Sequence, residues 1–129
     1  MIAYLDTSAA MKLLVEEDES AALAAYLASG ERLDLVASWL LHTELHCAAD
    51  RHPDDIDPSG VGVVLDTITL VDLTRGDLLT AGALPGRLRS SDAVHLAVAL
   101  RVGADGVITY DAELAAAATS SGLEVLGPA

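Results

Sequence analysis

Short apolar runs recur along this chain, and each gives way to a stretch with helical patterning; that alternation constrains the fold more than any other feature. Ile2–Leu5, Leu35–Ala37, Ile68–Leu73, Gly106–Thr109 and Glu124–Leu126 are too short and too apolar for surface helices and read as buried strands. Between them the sequence predicts helices over Ser8–Glu16, Ser20–Ala28, Trp39–Asp50 with Ser38 as its cap, Ser59–Asp66, Arg75–Leu84, Ser90–Val102 and Asp111–Ser121. Pro85-Gly86, Gly103 and Gly122 punctuate them. Pro53 to Gly62, carrying Pro, Asp, Ser and Gly, is the least ordered-looking segment. Strands joined by helical crossovers run parallel, and a parallel sheet is covered on both faces. The fold class expected is therefore α/β, as a single domain over residues 1–129, a length typical of one domain.

Composition narrows the function. With 52% hydrophobic residues and no Phe, the core must be aliphatic. Seven Lys and Arg against twenty Asp and Glu leave a formal charge of −13, which repels nucleic acid at long range. The same balance suits a basic partner, or carboxylates gathered around cations. Cys47 is the one cysteine, so an internal disulfide and a cysteine zinc site are excluded, and its apolar surroundings predict a buried small side chain. Met1 to Leu5 lacks the pattern of a signal peptide, and no run reaches the roughly 18 apolar residues of a membrane span. A cytoplasmic protein with no membrane partner is expected.

Ligands of parallel α/β sheets bind beyond the carboxyl ends of the strands, and acidic residues stand there. Asp6 follows the first strand in LDTSAA and Asp111 follows the fourth in ITYDAEL; alone, each reads as a helix cap. Asp92, in SSDAVHLA, lies in the first turn of a helix, where a carboxylate also complements the dipole. Glu44 differs, because in WLLHTELHCAAD it sits three after Leu41, four after Leu40 and four before Ala48, inside an apolar stripe. A carboxylate buried without a partner is costly. Several converging at one sheet edge would repel unless a divalent cation neutralised them, and oxygen-only ligands suit Mg²⁺ or Mn²⁺.

Taken in order, LDTSAAMKLL, TELHCA, SSDAVHLAVA and GADGVITYDAEL resemble the successive motifs of PIN domains, most closely those of VapC-type toxins from bacterial toxin–antitoxin pairs. The resemblance spans nearly the whole chain; the single motifs are short, and their order is the more specific signal. It implies a three-layer α/β/α fold with strand order 3-2-1-4-5. It also implies Asp6, Glu44, Asp92 and Asp111 as metal-binding and catalytic acids, and Mg²⁺- or Mn²⁺-dependent endoribonuclease activity on RNA. A homodimer and a cognate VapB-like antitoxin are the implied protein partners. Glu113 stands where many relatives carry Asp, and Leu114 where an aromatic is common, which leaves open whether Glu113 reaches a metal. Ser8 and Thr109 resemble accessory hydroxyls near the acids, and both also read as ordinary cap or strand-end residues.

Other assignments fit less well. His42 and His46 share a helix face as zinc ligands do, but Glu44 lies about 200° round the helix from His42, not in the H-E-x-x-H register; histidines facing solvent or a partner are expected. A haloacid-dehalogenase-like phosphatase needs an acid where Ser8 stands, and a receiver domain needs a late lysine, whereas Lys12 is the one Lys of the chain. Arg87, Arg89 and Lys12 are candidate RNA phosphate contacts, with solvated loop charges as the plainer alternative. Two functional alternatives remain: a catalytically silent PIN-like binding module, and a deoxyribonuclease that keeps the chemistry but changes the substrate.

Overall fold

In the computed structural model, which describes residues 1–30 and 32–129, twelve elements alternate as the sequence patterning requires. They are β1 (Ile2–Leu5), α1 (Thr7–Leu14), α2 (Ser20–Leu27), β2 (Asp34–Ser38), α3 (Trp39–Arg51), α4 (Pro58–Leu65), β3 (Thr69–Val71), α5 (Arg75–Ala83), α6 (Ser90–Arg101), β4 (Gly106–Ile108), α7 (Ala112–Ser120) and β5 (Glu124–Leu126). The strands form one parallel sheet in the order β3-β2-β1-β4-β5. This is the expected three-layer α/β fold.

The central strand β1 pairs Ala3 with Leu35 of β2 on one side and with Gly106 of β4 on the other. Ala3, Tyr4 and Leu5 are each fully buried although successive side chains point to opposite faces, so both faces of the sheet are covered. Right-handed crossovers put the helices that precede and follow the reversal of strand order on opposite faces. The packing agrees: α1 lies against α2, α3 and α4, and α6 lies against α5 and α7. The reversal falls at β1 and β4, where ligands of such sheets collect.

Local chemistry explains where the elements differ from expectation. Helix α1 starts at Thr7 because the Asp6 side chain caps it, and it stops at Leu14 because Val15 is extended, ahead of the acidic run Glu16–Glu19. The segment that looked least ordered enters α4 at Pro58, with Asp57 accepting from Ser59 N–H and proline at a position that suits it. Burial of Val61 and Val64 carries that helix past Gly60 and Gly62. Strand β3 is shorter than its apolar run, since it is an edge strand with three register partners on β2. Cys47 is exposed, not buried: Leu41, Leu45 and Ala49 form the buried stripe of α3, and Cys47 lies between its turns on the wet side. A buried Asp77 joins α5 to α6 through Arg101, 2.7 Å away. Burial opposes its charge, but Arg101 and Thr74 outweigh it and hold the carboxyl below the ordinary range. Among the described residues no helix is long and apolar enough to cross a membrane.

Candidate active site

Asp6 leaves the end of β1 with its backbone N–H still bonded to Ile108 O, at 3.2 Å, so the adjacent strand β4 fixes its position. Its side chain is 1% exposed. Oδ1 accepts from Ala9 N–H at 2.9 Å and from Ser8 Oγ at 2.8 Å; Oδ2 accepts from Thr109 Oγ1 at 2.6 Å. Ser8 Oγ in turn accepts Tyr110 N–H, and Thr109 Oγ1 accepts Asp111 N–H. Both hydroxyls therefore tie the start of α1 to the segment after β4. Burial raises the Asp6 carboxyl above the usual range, and the hydrogen bonds from Thr109, Ala9 and Ser8 work against that rise.

Glu44 sits beside the buried stripe of α3 with 23% of its side chain exposed. Its Oε1 accepts from Thr7 Oγ1 at 2.8 Å and lies 2.6 Å from His95 Nε2. The His95 ring is 1% exposed on α6, and its Nδ1 is 2.7 Å from the Tyr4 hydroxyl. Tyr4 meets the ring edge-on, and its oxygen also accepts Ser38 N–H at 3.0 Å. Ser38 meanwhile caps α3 through its own side chain, bonded to Leu40 N–H. One connected path thus runs from β2 through β1 and α6 to the carboxylate on α3.

Asp92 is half-buried in the first turn of α6. Burial raises its carboxyl most; the charges of Asp111, Asp6 and Glu44 raise it further, while His95 opposes them. Four acids from distant stretches of chain therefore act on one region at the carboxyl edge of the sheet. Asp111 caps α7 by accepting Leu114 N–H at 2.8 Å with Oδ1. The capping readings of Asp6 and Asp111 hold, and the same two residues also belong to the cluster. Among the described residues, no three His, Cys, Asp or Glu side chains close into a ready-made metal-binding group. In kind, though, the donors suit a hard divalent cation: they are carboxylate oxygens, and burial raises two of the carboxyls, Asp6 and Asp92, so that a nearby positive charge would favour their ionised forms.

The accessory candidates separate. Ser8 and Thr109 bond directly to Asp6. Glu113 is exposed and lines a shallow hollow with Pro85 and Gly86. Arg87 and Arg89 are exposed just ahead of α6; Arg87 adopts φ 55° after Gly86, and Arg89 is the cap residue of the helix that carries Asp92. Lys12 is already engaged, 3.0 Å from Glu17 and 2.6 Å from Glu19, over the Tyr110 ring. His42 and His46 stack against each other on α3, next to the exposed Trp39, away from Glu44. Sequence reasoning missed Tyr4, Thr7 and His95. The available signal was the spacing of Asp92 and His95, three apart and hence on one helical face.

Comparison with known proteins gives the family and the fold. The PIN domain family matches residues 3–119. Ribonuclease VapC46 of Mycobacterium tuberculosis is 37% identical over 131 residues, covering 97% of this chain and 96% of that protein. Among solved structures, VapBC2 from Rickettsia felis bound to a promoter DNA fragment superposes with a TM-score of 0.75 at 14% identity, covering all of both chains. VapC20 of M. tuberculosis, described as a sarcin–ricin loop cleaving toxin, gives 0.69 at 16% identity, covering 89% of this chain and 94% of that one. At such identities the structural likeness speaks for the fold.

Proposed function

Because the chain belongs to the PIN-domain family, among the VapC ribonucleases, we propose that it is an endoribonuclease toxin dependent on Mg²⁺ or Mn²⁺, with Asp6, Glu44, Asp92 and Asp111 holding the cation. The observation that carries this reading is the Thr109 hydroxyl, which donates to Asp6 and accepts the N–H of Asp111 and so brings the acids after β1 and β4 to one edge; Asp92, raised first by burial, also feels the charges of Asp111, Asp6 and Glu44. When bound, the cation supplies positive charge at the scissile phosphate and makes water a competent nucleophile near neutral pH. The chain's own residues do the rest. Ser8, Thr109 and Ala9 N–H aim Asp6; Thr7 and His95 aim Glu44; the first turn of α6 places Asp92 on the helical face it shares with His95. Arg87 and Arg89 are the phosphate-binding residues of this reading, since both are exposed on the approach to Asp92. Lys12 is a weaker choice, its charge being matched by two glutamates.

Hydrolysis by activated water leaves 5′-phosphate and 3′-hydroxyl ends. Asp6→Asn is expected to keep the fold and abolish cleavage of RNA; undiminished cleavage would remove Asp6 from the reaction. Products ending in 2′,3′-cyclic phosphate would exclude water as the nucleophile. The partner proposed is a VapB-like antitoxin that presents basic side chains to the acidic edge, with a homodimer as the working assembly. Co-expression with a short basic protein encoded beside this chain tests it, and persistent toxicity without a complex, or no such neighbour, would overturn it.

A further inference from the structure

We propose that His95 is the positioning residue of Glu44 and that the backbone amide of Ser38 fixes the polarity of the whole path. The proposal rests on the reading of Glu44 as a cation-holding carboxylate and adds how its orientation is set. The Ser38 N–H can only donate, so the Tyr4 oxygen, 3.0 Å away, accepts from it. The single hydroxyl hydrogen of Tyr4 then goes to His95 Nδ1, across 2.7 Å. That leaves the ring hydrogen on Nε2, directed at Glu44 Oε1 across 2.6 Å. The opposite tautomer would leave Nε2 only the Thr7 hydroxyl, 3.1 Å away, as a donor, and would set Nε2 and Oε1 lone pair to lone pair at 2.6 Å. It would also leave the Tyr4 hydrogen without an acceptor in a fully buried site, a costly arrangement.

The consequence reaches the carboxylate. Oε1 accepts from both Nε2–H and Thr7 Oγ1, so these two bonds hold the carboxylate by one oxygen and leave Oε2 outside them. A histidine in this tautomer orients the carboxylate without setting a lysine or arginine charge where the cation belongs. Hydrogen bonds to ligating carboxylates of this kind are worth about 10–100-fold in metal affinity.

Nitrogen-15 spectra of the native chain without added metal read the tautomer directly. His95 is expected with Nδ1 bare and Nε2 protonated; a proton on Nδ1 in its place overturns the proposal, whatever the chain does to RNA. Calorimetric titration with Mn²⁺ then separates positioning from mere packing. His95→Gln, whose amide reaches the place of Nε2, is expected to keep near-native affinity. His95→Asn, whose amide reaches only the place of Nδ1, is expected to lose about 10–100-fold. Equal affinities in the two variants, both folded by circular dichroism, would overturn it. Failure of the native chain to bind Mn²⁺ would sink the cation reading, and the tautomer measurement would still decide the path.

Discussion

Thr109 donates its hydroxyl hydrogen to Asp6 across 2.6 Å and at the same time accepts the backbone N–H of Asp111. The acid after β1 and the acid after β4 are thus joined through one buried side chain. Thr109→Val keeps the shape and removes both bonds, leaving a buried carboxylate short of a donor. It is expected to lose about 1–3 kcal/mol of stability in urea unfolding, and Thr109→Ser to recover most of it. Equal stability of the valine and native chains would show the bond to be idle.

Asp92 gives a pH signature whose sign follows from its raised carboxyl. Below the ordinary aspartate range, folded and unfolded chains both carry it protonated. As pH rises the unfolded chain ionises first, so the native state loses stability until the higher folded pKa is passed. Asp92→Asn is therefore expected to melt above the native protein at neutral pH without metal, with the gap closing in acid. A variant that melts lower across the whole range would contradict this.

Bound metal is expected to reverse that penalty. A ligand that binds only the folded chain adds about 2.7 kcal/mol at 100 times its dissociation constant. Mn²⁺ is expected to raise the melting temperature of the native chain by several degrees, EDTA to cancel the rise, and Asp92→Asn to lose it. A melt unchanged by Mn²⁺ would count against the donor set.

The exposed arginines make a salt prediction. If Arg87 and Arg89 each neutralise one phosphate, replacing both with Ala should weaken binding of a single-stranded RNA by a non-cleaving Asp6→Asn chain. It should also flatten the slope of log K against log salt by about 0.7 per contact. Lys12→Met, removing a charge already held by Glu17 and Glu19, should leave that slope unchanged.

Much of this was legible in the sequence. The strand and helix order could be read because Ser38, Asp6 and Asp111 announce helix starts with side chains that do cap, whereas the Asp57 cap of α4 went unread. Glu44 stood out as a charge in an apolar stripe, and the structure leaves it part-exposed beside that stripe. His95 did not stand out, since within an Ala, Val and Leu helix a histidine carries no sign of its partners, and Tyr4 and Glu44 come from 91 and 51 residues away. Cys47 was misjudged because an Ala-rich helix does not announce which side is wet. Lys12 was readable in principle: the acidic run that engages it follows one turn later.

The central strand bears on how this chain comes into being. Asp6 follows β1, yet Thr109 and Asp111, which complete its surroundings, arrive only with β4, later in the chain. A polypeptide still growing short of Gly106 holds Asp6 and Glu44 but not the strand that frames them. The surroundings of Asp6 are therefore complete only when β4 has joined β1, so this carboxyl depends on a sheet contact between residues 103 positions apart.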